Sequence, residues 1–255
     1  MLHFKKYGSG PKAILAFHGF GGNHTDWEVF LPALEGEYTL YSFDLWHHGK
    51  SDYQGKPIEK IDFENLINTF CAENKIYRFS LFGYSLGGRI CLQIIEIFPG
   101  KIDTIWLFAP DGLHRNILYR FATRTIVGNI LFKNIIDNPS FFFNATAFFS
   151  KLGIVHAKIN TFIHVQLGTK ENRNRVYRSW RTTSRLWPDL KILAENIDRY
   201  KLDFTIFMGK HDKLVQTKWA KNLTRLMLTN SATVRVLDAG HNLQTEKSRI
   251  EVWGK

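Results

Sequence analysis

The stretch Arg78-Phe79-Ser80-Leu81-Phe82-Gly83-Tyr84-Ser85-Leu86-Gly87-Gly88-Arg89 constrains the fold more than any other part of this chain. An apolar run ends in a G-x-S-x-G core, and a helical pattern begins at once behind it. A strand that becomes a helix within one residue needs strained backbone at the turn and close strand–helix approach. Small residues two positions either side of the serine permit both. Gly83 and Gly87 fill those positions, so the pattern predicts a strand–turn–helix elbow with Ser85 at its apex. The plain alternative is a serine that merely caps the following helix.

The rest of the chain alternates in the same sense. Lys12-Ala13-Ile14-Leu15-Ala16-Phe17, Tyr38–Phe43, Phe79–Phe82, Thr104–Ala109, Phe204–Met208 and Thr233–Leu237 are short runs suited to strands. Runs that are apolar on both faces suit buried parallel strands. Between them, Asn23–Leu34, Ile61–Glu73, Leu86–Phe98 and Val215–Leu228 carry helical spacing, with Pro32 predicting a kinked or divided first helix. The tail after His241 is short. From Leu113 to Lys201 the alternation lapses into several helices rich in Phe and Arg. The pattern predicts an α/β protein with a mostly parallel, doubly wound sheet built from residues 1–112 and 202–255, interrupted by a helical insertion at 113–201.

Charge is unevenly placed. The net charge is +11, and residues 113–201 alone hold 15 Lys/Arg against 5 Asp/Glu. A basic segment attracts acidic substrates, anionic lipid or nucleic acid, or is simply a solvated face. No zinc-finger spacing, RNA-recognition signature or basic zipper accompanies it, so no nucleic-acid partner is expected. Contact with an anionic membrane surface through the basic insertion is a further expectation. No run approaches the roughly 20 apolar residues of a membrane span. The opening Met1-Leu2-His3-Phe4-Lys5-Lys6 lacks the apolar core of a secretory signal, which predicts a cytoplasmic protein. The two cysteines, Cys71 and Cys91, read as buried thiols. Despite ten histidines, none shows H-E-x-x-H or paired-cysteine spacing, so no metal and no organic cofactor are expected.

A reactive serine needs a base for its proton and a carboxylate to orient that base. Met208-Gly209-Lys210-His211-Asp212-Lys213 places Asp212 just past one strand, and Asp238-Ala239-Gly240-His241-Asn242 places His241 just past the last. In a parallel sheet both loops open at the carboxyl edge, where Ser85 also emerges.

Over essentially its whole length the chain resembles the α/β-hydrolase superfamily. The matching pieces are His18-Gly19-Phe20-Gly21-Gly22, Asp44 through Ser51, Gly83 through Gly88, Gly209 through Asp212 and Gly240-His241. The resemblance implies a catalytic triad of Ser85 as nucleophile, His241 as base then acid, and Asp212 as orienting carboxylate. It implies an oxyanion hole from the backbone N–H groups of Phe20 and Leu86, and a cap over the site in the place of 113–201. Asp111 is the rival acid, because some members carry theirs after the strand leading into the cap. His18 is expected to hydrogen-bond the loops beneath the oxyanion hole. Asp44, His48 and Ser51 resemble the family's structural D-x-x-x-H-G-x-S loop, with His47 standing where glycine is common.

The resemblance implies hydrolysis of an ester or related acyl bond, and the composition of the insertion suggests a small, partly apolar substrate lodged among Phe141–Phe143, Phe148 and Phe149. Those phenylalanines equally suit the insertion's own core or a lipid-facing surface. The string Gly83-Tyr84-Ser85-Leu86-Gly87-Gly88-Arg89 is also similar to the menaquinone-pathway lyases, which eliminate pyruvate. That alternative gives Arg89 a carboxylate to bind, with Arg120 and Arg124 assisting and Tyr84 beside the serine. A third alternative is a non-catalytic binding protein on the same fold.

Overall fold

The computed structural model describes residues 2–153, 156–229 and 232–253. The apolar runs lie side by side in one sheet. Its strands are β1 (Phe4–Tyr7), β2 (Lys12–Phe17), β3 (Tyr38–Phe43), β4 (Phe79–Tyr84), β5 (Ile102–Phe108), β6 (Asp203–Gly209) and β7 (Ala232–Leu237). They run in the order β1-β3-β2-β4-β5-β6-β7. All pairs are parallel except β1–β3, which is antiparallel with Phe4 opposite Phe43. The expected mostly parallel α/β sheet is therefore present, with β1 added at its edge.

The chain divides into two compact units, one made of residues 1–52, 59–114 and 186–255, the other of 53–58 and 115–185. In the sheet-bearing unit, the segment after β2 forms a 3₁₀ turn over His24–Phe30 and then α1 (Leu31–Leu34), with Pro32 in the first turn of α1. The expected first helix is thus in two pieces, as the imposed φ and missing N–H of proline require. α2 (Lys60–Glu73) follows with its expected span, and α3 (Leu86–Ile97) leaves the elbow. Strand and helix pack closely because Gly83 faces α3: a Cβ there would sit 2.7 Å from Cys91 Sγ and 2.8 Å from Gly88 Cα. Phe17 stacks on Phe43 and Phe108 on Phe207, each pair 4.9 Å apart. Fully buried Phe70 packs against Phe43, and fully buried Trp27, Phe30 and Phe82 pack against Phe108.

The helical unit contains α4 (Ile117–Arg124), α5 (Ile126–Asp137), α6 (Pro139–Lys151), α7 (Ala157–Leu167) and α8 (Lys170–Thr182). Polar residues mark several starts: Asn116 Oδ1 accepts the Tyr119 N–H, Thr125 Oγ1 that of Gly128 and Thr169 Oγ1 that of Asn172. Its buried core is Tyr119, Phe132, Ile136 and Val176, flanked by half-buried Tyr177 and Trp180, which lie 5.3 Å and 5.4 Å from Phe132. Of the phenylalanines that suit a substrate lining, a core or a lipid-facing surface, Phe141, Phe148 and Phe149 are exposed, while Phe142 and Phe143 are half-buried, Phe143 stacking 4.7 Å from His164. α4 and α5 come close because Gly128 sits where a Cβ would be 2.1 Å from the Phe121 carbonyl oxygen.

After this unit come α9 (Leu190–Tyr200), α10 (Ala220–Thr224) and α11 (Glu246–Trp253). The insertion drawn from sequence at 113–201 includes α9, whereas the structure packs α9 on α3, with Asn196 Nδ2 donating to the Ile95 and Glu96 carbonyls. The helix expected over Val215–Leu228 is a 3₁₀ turn at Thr217–Trp219 followed by α10 alone. The short tail instead holds α11, whose Trp253 packs 5.6 Å from both Phe30 and Phe82.

Candidate active site

β4 ends at Tyr84 and α3 starts at Leu86, so a single residue makes the turn. Ser85 takes φ 48° and ψ −113°, left-handed backbone that costs a side-chain-bearing residue energy. The surroundings hold it there: its N–H donates to Phe108 O at 3.0 Å, and its carbonyl accepts from Asp111 and Arg89. Gly87 permits the approach, since a Cβ there would lie 1.9 Å from Phe17 O. The Ser85 side chain makes no capping bond to α3, which removes the plain N-cap reading. Its Oγ lies 3.0 Å from His241 Nε2 instead.

Two loops carry the partners. Gly209, at the end of β6, lies against the loop after β7, where a Cβ would be 2.0 Å from Gly240 O. Lys210 and His211 donate backbone N–H bonds to Leu237 and Ala239, which ties the two loops together. His241 Nδ1 is 2.7 Å from Asp212 Oδ2. Asp212 Oδ1 accepts from the N–H of Leu214 at 2.7 Å and Val215 at 3.0 Å, so the carboxylate is fixed at both oxygens. Its side chain is fully buried. With Nδ1–H donating to Asp212 Oδ2, Nε2 is left as the acceptor facing the serine hydroxyl.

The structure thus brings Ser85, His241 and Asp212 into one hydrogen-bonded chain and leaves Asp111 out of it. Asp111 Oδ1 accepts from Gly112 N–H, and Oδ2 is 3.5 Å from Arg89 Nη1. Arg89 is 1% exposed, with its guanidinium 4.9 Å above the Trp187 ring. The buried guanidinium thus meets a half-exposed carboxylate and an indole ring, rather than standing open to a substrate carboxylate. Tyr84 packs its ring 5.3 Å from that of His241, and burial pushes its phenol well up from the ordinary range. Arg120 is exposed on α4, and Arg124 donates through Nε and Nη2 to the Ser184 carbonyl inside the helical unit.

The glycine loop after β2 lies beside the elbow: a Cβ on Gly19 would be 3.4 Å from Ser85 Cβ. His18, at its base, is fully buried, and burial depresses its imidazole to a pKa of about 4. Its Nδ1 faces Gly19 O at 2.6 Å while Nε2 accepts the Leu45 N–H at 2.9 Å, which fixes the neutral Nδ1–H tautomer. His18 therefore joins two loops. Asp26 is a carboxyl that the sequence does not single out: it fills the space above Gly22, and burial raises its pKa. No spacing rule marks such a residue.

Asp44 organises the loop after β3. Its Oδ1 accepts from His24 N and Nδ1, and its Oδ2 from Lys50 N and His3 Nδ1, all at 2.7–2.9 Å. Burial alone would raise this carboxyl, but the N–H groups of Lys50 and His24 and the His24 ring outweigh it and lower the pKa. Among the described residues, His3, His24 and Asp44 are the group whose ligand atoms lie close enough to hold a metal ion, within 4.8 Å of one another. The same atoms are already joined by hydrogen bonds, and the cluster reads as a loop clamp. Ser51 Oγ accepts the His3 N–H, while His47 adopts φ 65°, the reason a glycine suits that position. Cys91 is buried, donates to Phe82 O, and burial pushes its thiol well up, so it is no nucleophile.

This arrangement places a serine on a strand–helix elbow of a largely parallel sheet, with histidine and carboxylate on the loops after the last two strands. A family model for the alpha/beta hydrolase fold matches residues 12–135. The chain has the fold of the α/β hydrolases. A solved alpha/beta hydrolase from a Medee basin deep-sea metagenome library is similar at TM-score 0.70 and 15% identity, covering 99% of this chain and 93% of that one. A thermophilic esterase from Thermogutta terrifontis is similar at TM-score 0.68 and 16% identity, covering 98% and 89%. An uncharacterized Mycobacterium tuberculosis protein is 33% identical over 122 residues, which are 47% of this chain and 36% of that protein. The chain spans about a third of the length of such curated relatives.

Proposed function

We propose that this protein is a serine hydrolase that cleaves an ester or related acyl bond of a small, partly apolar substrate through an acyl-enzyme. The observation that carries this reading is the chain Ser85 Oγ–His241 Nε2 at 3.0 Å and His241 Nδ1–Asp212 Oδ2 at 2.7 Å, with Ser85 on the left-handed elbow. Likeness to a solved esterase supports the reaction class.

The chemistry follows from proton positions. Ser85 Oγ attacks the acyl carbon as its proton passes to His241 Nε2, and the imidazolium so formed is stabilised by Asp212. The tetrahedral oxyanion is received by the N–H groups of Phe20 and Leu86, each such donor being worth about 3–4 kcal/mol in comparable sites. His241 returns the proton to the leaving alkoxide, leaving an ester on Ser85. Water, deprotonated by the same Nε2, then attacks that ester and releases the acid.

Hydrolysis of short and long p-nitrophenyl esters by the wild type and by Ser85→Ala tests the reading. Release of p-nitrophenol by the wild type and its loss in the variant are expected. Equal rates from the two proteins would assign the activity elsewhere.

A further inference from the structure

Two properties coincide on the helical unit. Residues 53–58 and 115–185 contain 13 Lys/Arg and 2 Asp/Glu, a net of +11, while the remaining chain holds 21 of each sign. The whole net charge of the protein therefore resides on this unit. The same unit also leaves large apolar side chains in solvent. On α4, Ile117 and Leu118 are 79% and 78% exposed and Phe121 joins them; on α5, Ile126 is 83% exposed, together with Val127 and Ile130.

These are not scattered positions. The spacing i, i+1, i+4 puts each set on one helix face. The opposite faces are the buried ones, with Tyr119 and Thr123 on α4 and Phe132 and Ile136 on α5. On α6, Phe141 at 85% and Phe148 at 58% stand seven residues apart, two turns along one face. α4 packs on α5, and α5 on α6, so three neighbouring helices each turn an apolar stripe outward. Apolar surface on this scale marks an interaction face.

Charge selects the occupant. A second copy would bring two units of like charge together, which is repulsive. An anionic bilayer offers both an opposite surface charge and an apolar layer just beneath it. No helix among the described residues is long and apolar enough to cross a membrane, and helices of 8, 12 and 13 residues suit lying in the interface. Exposed Arg115 before α4 and Lys151 at the end of α6 adjoin the apolar positions, where their charged ends reach headgroups. We infer that the helical unit docks on anionic lipid surfaces, inserting the outward stripes of α4, α5 and α6 below the headgroups.

Flotation of the full chain with phosphatidylcholine vesicles, with and without phosphatidylglycerol, tests this. Binding is expected to be at least about tenfold tighter to the anionic vesicles at about 0.1 M salt and to weaken at higher salt. Arg115→Gln with Lys151→Gln should cost about 25-fold, at roughly fivefold per cation. Ile126→Ser, Val127→Ser and Ile130→Ser combined should cost about 100-fold or more. Circular dichroism checks that each variant keeps its helices, and the charge variant stands in if the apolar one does not fold. Ser85→Ala should bind as the wild type does, so the result is independent of the proposed chemistry. Equal binding to both vesicle types, or wild-type affinity in the folded variants, would overturn the inference. Absence of vesicle binding with dimerisation that the apolar variant abolishes would also overturn it and assign the face to a second copy.

Discussion

Asp212→Asn isolates the part of the proposed mechanism that depends on one proton. Asp212 Oδ1 accepts the Leu214 and Val215 N–H groups, and Oδ2 faces His241 Nδ1. An asparagine offers one oxygen, and the two backbone donors claim it, so its NH₂ must face Nδ1. Nδ1 then has to be the acceptor, the imidazole proton moves to Nε2, and the Ser85 hydroxyl faces an N–H that cannot take its proton. Flipping the amide restores the useful tautomer only by orphaning both backbone donors, at about 1–3 kcal/mol each. The sum, about 2–6 kcal/mol, corresponds to a roughly 30- to 10⁴-fold loss of rate. Losing the charge that stabilises the imidazolium adds to this, so a fall in kcat near 10⁴-fold is expected, as in other Ser–His–Asp sites. The assay is p-nitrophenyl ester hydrolysis at neutral pH, alongside thermal unfolding, which should change little because the backbone bonds survive. Asp111→Asn, whose carboxylate meets Arg89 rather than His241, should stay within about tenfold of the wild type. A variant at position 212 within about fivefold of the wild type, or greater loss at 111 than at 212, would refute the reasoning.

Three further outcomes follow from local geometry. Gly87→Ala drives a Cβ to 1.9 Å from Phe17 O, which is backbone and cannot swing away, so a loss of about 3 kcal/mol or more is expected in urea unfolding; wild-type stability would contradict the elbow packing. Lys201 ends α9 at φ 50° and is exposed, so Lys201→Gly should raise stability by about 1 kcal/mol, or Tm by about 2–4 °C. A lower Tm would count against left-handed strain there. His18, with its pKa lowered by burial to about 4 in the fold and near 6.5 when unfolded, binds fewer protons folded than unfolded between those values. Its contribution to stability is whole above about pH 6.5 and is lost as pH falls toward 4. Its ring should show the neutral Nδ1–H form by NMR at about pH 5.5, and titration near 6.5 would refute the assignment.

Much of this is legible in the sequence, for physical reasons. Strands apolar on both faces announce a parallel sheet, and a parallel sheet puts the loops carrying Ser85, Asp212 and His241 at one edge whatever their separation in sequence. Steric demands wrote Gly83 and Gly87 into the elbow. The edge strand β1 was hidden because it is four residues long and half exposed, and α11 because its apolar spacing is weak. α9 read as part of the insertion, since its own pattern does not say that its partner is α3. The bond of Asp111 to Arg89 was equally hidden, for sequence gives the residues after a strand but not the direction of a carboxylate. His47 was different: an exception to the glycine pattern, and the structure places it at a positive φ.

The central claim is that Ser85 is a nucleophile activated by His241. A fluorophosphonate tests it directly, because phosphorus attack requires the same deprotonated oxygen and leaves a stable adduct. Intact mass followed by peptide mapping should find one adduct, on Ser85, absent from Ser85→Ala and strongly slowed in His241→Ala. An unlabelled Ser85 under conditions that label a control esterase, or labelling at the same rate without His241, would contradict the account.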